Sequence, residues 1–255
     1  MKNGLNRWIF LCVVIVLLPV TAHGQSLRDK EQIYVLQNPY EVTHIPAPKG
    51  KKIKNVILMI GDGMSLMHVY SAWTANRGKL FLDNSQAVGL SKTYCANKLI
   101  TDSGAGGTAI ATGQKTNYHF VGVDTLGRPL KSLIDLAALK GKATGIAVTC
   151  RLWDATPADF CCHNIDRDAE EAIVADYLNS PVDYVFGGGA KLFEQRQDGR
   201  NLFQELRSKG FHTPGNWAEL SAIRQGKVFA VPYPVDTPLP AERGDLLARA
   251  SLKGI

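Results

Sequence analysis

The chain has 255 residues, 45% of them hydrophobic, which is the share expected of a globular protein able to bury a substantial core. Its formal net charge of +6 is a mild excess. The lysines at 49–54 have no interleaved aromatic residues of the kind that nucleic-acid grooves use, so we expect no nucleic-acid partner.

Residues 1–24 have the pattern of a secretory signal peptide. Two basic residues precede an apolar run at 8–20, and Ala22 and Gly24 are the small residues that a signal peptidase reads. The run is shorter than the about 20 residues that a membrane-spanning helix needs. We therefore expect cleavage after Gly24, a periplasmic or secreted location, and no stable membrane insertion of the mature chain.

The next segment, 25–52, is polar and contains several prolines, which favours an extended N-terminal arm leading into a fold at 53–255. The short apolar run at 55–60 is typical of a strand buried on both faces of a parallel sheet, and it is ended by Gly61-Asp62-Gly63. A helix at 64–75, a strand at 87–94 and a helix at 102–112 follow.

The rest of the chain alternates between helices and strands. We predict helices at 130–139, 168–178, 202–209 and 242–255, and strands at 143–149, 182–186 and 227–231. This alternation predicts an α/β fold with a doubly wound, mostly parallel central sheet and helices on both faces.

Four cysteines follow the signal-like segment, an even number in a compartment that permits disulfides. Cys161 and Cys162 are adjacent, and the sequence has no C-x-x-C pair, which argues against a zinc–thiolate cluster. The pattern leaves two alternatives open, one disulfide or buried free thiols.

Asp62 lies between two glycines, directly after the first predicted strand. The carboxyl edge of an open α/β sheet is where such folds place their ligands, so Asp62 is a candidate metal ligand. The alternative is a helix N-cap in a strand-to-helix turn, a role that aspartate fills well.

Ser103 lies at the predicted start of a helix rich in small residues, in the segment 101–109. A phosphate there would meet free backbone N–H groups and the positive end of the helix dipole. The serine hydroxyl is a poor nucleophile with no base beside it in sequence, but coordination to a metal ion could remove its proton. The alternative is that Ser103 only caps a closely packed helix.

Asp154 and Thr156 follow the strand predicted at 143–149, again at a carboxyl edge. A carboxylate and a hydroxyl suit magnesium, which prefers oxygen ligands. Arg167 follows in the sequence, and its planar guanidinium can bind two phosphate oxygens at once.

Together these segments resemble the alkaline phosphatase family, from about residue 54 to at least residue 167. The matching motifs are I-G-D-G-M at 60–64, T-D-S-G-A-G-G-T-A at 101–109, A-T-G-x-K-T at 111–116, and D-A-T-P-A at 154–158 with the trailing Arg167. The resemblance implies that 53–255 is the amino-terminal part of a phosphatase domain, truncated at its C-terminus.

The resemblance implies a role for each candidate residue. Asp62 would bridge a zinc and a magnesium ion, Ser103 would bind metal and become phosphorylated, and Asp154 and Thr156 would belong to the magnesium site. Arg167 would bind the substrate phosphate. The implied activity is hydrolysis of small-molecule phosphate monoesters through a phosphoserine, and a homodimer of the full-length protein is compatible with the family.

The chain departs from the family in its remaining metal ligands. Members of the family take those ligands, which include several histidines, from the second half of their chain. His44, His68, His119 and His212 are isolated here, and we interpret Asp159 and His163 as structural. Two other functions stay open: a related sulfatase or phosphodiesterase of the same fold, and a non-catalytic phosphate-binding fragment. We also expect the fragment to expose an apolar sheet edge.

Overall fold

The computed structural model describes residues 36–46 and 53–255. The predicted signal peptide lies outside the described residues, as does much of the predicted arm. The described residues separate into two compact units, 36–46 and 53–56 with Met64–Val88, and Ile57–Gly63 with Gly89–Ile255. In the part of the chain that is described, no helix has the length and apolar character needed to cross a membrane.

The larger unit is built on a parallel sheet. Its strands are β1 (Gly145–Arg151), β2 (Tyr184–Gly188), β3 (Phe211–His212) and β4 (Lys227–Tyr233), in the spatial order β1-β2-β4-β3. Every neighbouring pair is parallel. Three of the strands overlap predicted ones, whereas β3 is too short for its sequence to show a period.

The helices of the described residues are short; three precede β1 in the chain, five lie between strands and two follow β4. In chain order they are α1 (Leu66–Ala75), α2 (Ser103–Thr112), α3 (Leu133–Ala138), α4 (Ala155–Ala158), α5 (Glu170–Asp176), α6 (Lys191–Glu194), α7 (Leu202–Ser208), α8 (Trp217–Ala222), α9 (Pro240–Arg243) and α10 (Leu246–Gly254). Helices α4, α6 and α8 were not predicted, and the single helix expected at 242–255 is divided into α9 and α10 by Gly244 at φ 51°.

Alternate residues along the central strands fill two hydrophobic cores, because successive side chains of a strand point to opposite faces. Val185 and Phe229 pack on one face with residues of α5 and α7. Phe186 and Ala230 pack on the other face with residues of α8 and α10. The sheet is therefore covered by helices on both sides, which confirms the predicted fold class.

Two of the predicted strands are wrong. The runs at 55–60 and 87–94 contain no strand, and their apolar side chains are exposed, with Val56 at 85% and Leu90 at 92%. A strand requires neighbours that pair with its N–H and C=O groups, and within the described residues no segment pairs with either run. Apolar composition alone therefore gave the wrong assignment.

The smaller unit joins the described part of the arm, 36–46, to the segment that contains α1. The Asn76 side chain donates to the Tyr40 carbonyl and accepts from the Tyr40 N–H, at 3.1 and 2.9 Å. The rings of Tyr40 and Phe81 stack with their centroids 5.7 Å apart. These contacts hold an irregular segment against α1 without a strand or helix of its own.

Phe229 provides a direct test of the core of the larger unit. It is fully buried, and its ring centroid lies 5.3 Å from that of Phe193 and 5.6 Å from that of Tyr177. We expect Phe229→Ala to lower the free energy of unfolding by about 3–5 kcal/mol, because it leaves a cavity among rigid neighbours. Urea unfolding measures this change. The exposed control Leu252→Ala should change it by less than about 0.5 kcal/mol, and equal effects of the two would contradict the proposed core.

Candidate active site

Helix α2 begins immediately after Asp102, whose side chain caps it. The Asp102 carboxylate accepts hydrogen bonds from the N–H groups of Gly104 and Ala105, both at 3.2 Å. Ser103 is thus the first residue of the helix. The predicted capping role belongs to Asp102, which leaves the Ser103 hydroxyl available for other contacts.

This cap corrects one expectation about phosphate binding. Two of the N–H groups that were expected to be free at the start of α2 are bonded to Asp102, and the N–H of Gly106 donates to the Asp102 carbonyl at 3.0 Å. The helix terminus therefore offers a bound anion fewer donors than the sequence suggested. A phosphate at this point would depend correspondingly more on side chains.

Arg167 supplies such a side chain. Its Nη1 atom donates to Ser103 Oγ at 2.8 Å and to Asp102 Oδ2 at 3.0 Å. The Arg167 side chain is 24% exposed and that of Asp102 is 9% exposed, so the guanidinium is anchored on one edge and open to solvent on another. The geometry places a fixed positive charge directly on the candidate nucleophile.

The loop that contains His119 fixes the position of Arg167. The His119 N–H donates to Asp102 Oδ1 at 3.2 Å, and the His119 carbonyl accepts from the Arg167 N–H at 3.0 Å. One residue therefore connects the capping carboxylate to the backbone of the arginine. This is how two residues 64 positions apart, Ser103 and Arg167, come into contact.

These contacts also determine the ionisation of Asp102. Burial, the largest single influence, would raise the pKa of its carboxyl group, but hydrogen bonds from the backbone N–H groups of Ala105 and His119 and from the Arg167 side chain together lower it below 3.8. Asp102 is therefore a carboxylate at neutral pH, and it remains a charged partner for Arg167.

A second cluster joins Asp62 and Thr156. The Thr156 hydroxyl donates to Asp62 Oδ2 at 2.8 Å, across 94 residues of sequence. Thr156 lies in α4, just beyond the carboxyl end of β1, so Asp62 reaches the predicted edge of the sheet although its own segment is not a strand. Two oxygen ligands of the kind that magnesium prefers are thus adjacent.

Helices α2 and α4, which carry the two clusters, pack against each other. The buried Thr108 hydroxyl of α2 donates to Asp159 Oδ1 at 2.8 Å and accepts from the Gly122 N–H at 2.8 Å. Gly107 faces the same carboxyl group, and a Cβ atom there would overlap Asp159 Oδ2. Burial raises the pKa of Asp159 well above its usual value. These contacts explain the small residues of α2 by close packing.

Comparison with known proteins identifies the relatives of this arrangement. The sequence model of the alkaline phosphatase family matches residues 53–231. The chain belongs to the alkaline phosphatase family. This confirms the resemblance seen in the sequence motifs.

Individual relatives agree with the family assignment. Alkaline phosphatase 4 of Bacillus subtilis is 35% identical over 63% of this chain and 38% of its own length. The solved alkaline phosphatase from the Antarctic bacterium TAB5 is 31% identical, covers 65% of this chain and 49% of its own, and superposes with a TM-score of 0.63. A variant of that enzyme with Mg bound in its M3 site is 27% identical, covers 76% of this chain and 57% of its own, and gives a TM-score of 0.71. This chain therefore spans between about a third and just over half of the length of these phosphatases.

Asp154, the remaining motif residue, is engaged elsewhere. Its carboxylate pairs with Arg151 at 3.0 Å, and it also accepts from the Arg151 N–H at 3.2 Å. Burial is the largest of the causes that raise the pKa of the Cys150 thiol to about 12. The charge and hydrogen bond of Asp154 and the charge of Asp62 are the others that raise it. The three residues are thus neighbours, but Asp154 makes no hydrogen bond to Asp62 or Thr156.

The donor atoms of the Asp62 and Thr156 cluster fit magnesium better than zinc. Asp62 and Thr156 offer adjacent oxygens, and Cys150 is a neutral thiol at neutral pH. Within residues 36–46 and 53–255, one group of three potential His, Cys, Asp or Glu ligands converges, and it does not include Asp62. Asp62 therefore belongs to no group of three such ligands within the described residues.

The other sequence candidates have different partners. The four cysteines that follow the signal-like segment are free thiols, three of them buried, which agrees with one of the two predicted alternatives. His163 contacts Asp176 Oδ2 at 3.1 Å and the Leu130 carbonyl at 3.2 Å. The interpretation of His119 as isolated is wrong, because its ring lies beside Asp166 and Asp168. The D-x-D pattern around Arg167 was the sequence signal that could have indicated this.

The Asp102 carboxylate predicts a pH dependence of stability. Because its pKa in the folded chain lies below 3.8, its contribution is complete above the unfolded-state pKa and is lost as pH falls through the folded-state pKa. Asp102→Asn keeps a capping side chain but removes the charge, so we expect it to lower the free energy of unfolding by about 1–3 kcal/mol at pH 7. Urea unfolding at a series of pH values should show this difference shrinking below pH 3.8. A difference that persists unchanged to pH 3 would contradict the assignment of charge.

Proposed function

We propose that the chain is the part of a metal-dependent phosphate monoester hydrolase that carries the nucleophile and the phosphate-binding arginine. The observation that carries this proposal is the 2.8 Å contact between Arg167 Nη1 and Ser103 Oγ. A guanidinium beside a hydroxyl at the start of a helix is suited to hold a phosphate for attack, because its N–H fork matches two phosphate oxygens. Membership of the alkaline phosphatase family supports the same activity.

The proposed reaction has two displacements at phosphorus. In the first, Ser103 Oγ bonds to phosphorus, the ester P–O bond breaks, and the alcohol leaves with the serine proton. In the second, the oxygen of a water molecule bonds to phosphorus, the bond to Ser103 Oγ breaks, and the serine regains a proton as inorganic phosphate leaves. Ser103 Oγ is therefore the attacking atom in the first displacement and the leaving atom in the second.

Arg167 would act in both displacements. Its positive charge stabilises an ionised Ser103 Oγ and offsets the negative charge on the non-bridging oxygens of the phosphate. Asp102 would hold the guanidinium in place, and it also binds the loop at His119. The arginine would therefore already be in position before substrate binds. Pre-organisation of this kind lowers the cost of reaching the transition state.

Asp62 and Thr156 would hold a magnesium ion. Asp154, which pairs with Arg151, would join that site directly or through water. Magnesium bound there would supply positive charge that neutralises the phosphate and lowers the pKa of nearby oxygen acids. The zinc site implied by the family would use Asp62 and Ser103 together with imidazole ligands.

The proposal also includes the location of the protein. The signal-like pattern at 1–24, followed by an arm at 25–52, supports export to the periplasm or the medium, where small phosphate monoesters would be the substrates. The homodimer that is compatible with the family stays a prediction.

Trapping of the phosphoserine tests the nucleophile. The chain is incubated with magnesium, zinc and an aryl phosphate, quenched in acid and digested, and we expect mass spectrometry to find one phosphoryl group on the peptide that contains Ser103. Ser103→Ala should carry none, because no other hydroxyl contacts Arg167 Nη1 among the described residues. The exposed control Ser221→Ala should be labelled like the wild type. A label that persists in Ser103→Ala would show that another residue is the nucleophile.

Phosphate affinity tests the arginine without requiring turnover. Arg167→Lys keeps the charge but loses the planar fork, so we expect binding of inorganic phosphate to weaken by about tenfold or more, the loss of one charged hydrogen bond. Isothermal titration calorimetry measures it. The matched control is Arg128→Lys, because Arg128 is an exposed arginine paired with Asp124. Equal affinities of wild type and Arg167→Lys would refute the phosphate-binding role.

A further inference from the structure

We propose that His119, Asp166 and Asp168 form a second divalent-cation site, separate from the cluster at Asp62 and Thr156. One nitrogen of the histidine and one oxygen of each aspartate all lie within 4.8 Å of one another. All three residues belong to the larger unit. No motif of the alkaline phosphatase resemblance includes His119 or either aspartate as a ligand.

The distances indicate a gap of the size that an ion fills. His119 Nδ1 lies 4.0 Å from Asp166 Oδ1 and 3.9 Å from Asp168 Oδ2. These separations are too long for hydrogen bonds, whose donor and acceptor atoms lie at about 2.7–3.2 Å. Ligands at about 2.0–2.2 Å from a common ion lie about 3–4 Å from one another. The three side chains therefore converge on a shared point with no hydrogen bond between any two of them, although Asp166 Oδ1 also accepts from the backbone N–H of Asp168 at 3.0 Å.

Charge favours a cation at that point. Asp166 and Asp168 bring two carboxylates to one place, where a divalent cation would offset their mutual repulsion. Their side chains are 58% and 76% exposed, so they can move by the few tenths of an ångström that coordination requires, and water can complete the shell. The backbone of His119 is hydrogen-bonded to both Asp102 and Arg167, which restricts the positions that its ring can take.

The donor atoms select the class of metal. One imidazole nitrogen with two carboxylate oxygens suits a first-row transition ion such as zinc, whereas magnesium and calcium prefer all-oxygen sites. The ion would cross-link the loop at 117–119 to the segment 166–168, which contains Arg167. The site would therefore stiffen the segment that positions the arginine.

Zinc titration of the chain at pH 7.5, by calorimetry in a phosphate-free buffer, tests the site. His119→Gly is the informative variant, because His119 has φ 71°, a backbone conformation that glycine adopts without strain. The variant should thus fold at least as well as the wild type, which circular dichroism checks. We expect one zinc-binding event to weaken by about tenfold or more in His119→Gly, and similarly in the double variant Asp166→Asn/Asp168→Asn, because each removes ligands.

Two controls separate this site from other zinc binding. His44→Ala removes an exposed imidazole elsewhere and should leave the event unchanged, and so should Asp62→Asn, which alters the proposed catalytic cluster. X-ray absorption of the zinc-loaded wild type should show scattering from one imidazole, absent in His119→Gly. The proposal is overturned by no zinc binding to the wild type, by equal affinity in His119→Gly, or by loss of the same event in Asp62→Asn.

Discussion

The carboxylate of Asp102 is the constraint on which the candidate active site depends. It accepts hydrogen bonds from two N–H groups at the start of α2, from the N–H of His119 and from the guanidinium of Arg167. A neutral side chain could cap the helix, but a charged acceptor holds the arginine more strongly, because charge-assisted hydrogen bonds are about twice as strong as neutral ones. The position of Ser103 relative to Arg167 therefore follows from the neighbouring residue.

The fold brings the second cluster to the same region. Helix α4 begins a few residues beyond the carboxyl end of β1 and carries Thr156, which holds Asp62. Helix α2 packs on α4 because Gly107 leaves room for Asp159, and the Thr108 hydroxyl bonds to that acid. Close packing thus links the helix of the proposed nucleophile to the helix of the proposed magnesium ligand. Gly107 of the motif serves this packing, a role that a search for phosphate-binding loops would overlook.

Much of the fold follows from sequence patterns. The helix predicted at 102–112 begins at Ser103, since Asp102 is a strong cap, and strands β2 and β4 lie where apolar runs end in glycine or proline. The run at 55–60 has the same apolar character but no neighbouring strand within the described residues, and composition cannot report a missing neighbour. Strand β3 is two residues long, too short for any periodic signal.

The site was less predictable than the fold. Contacts across 64 and 94 residues cannot be read from spacing, and the motifs suggested them only through resemblance to a family. His119 carries no motif, and its place beside two aspartates depends on a loop that folds back onto Arg167. The engagement of Asp154 by Arg151 likewise depends on a side-chain choice that the sequence leaves open.

The most direct test of the central claim is a crystal structure of the chain soaked with orthovanadate, which mimics a phosphorus centre under attack. The account predicts vanadium within bonding distance of Ser103 Oγ, two vanadate oxygens on the Arg167 guanidinium, and Arg167 still bonded to Asp102. Vanadate bound elsewhere, or an Arg167 side chain turned away from both Ser103 and the anion, would contradict it.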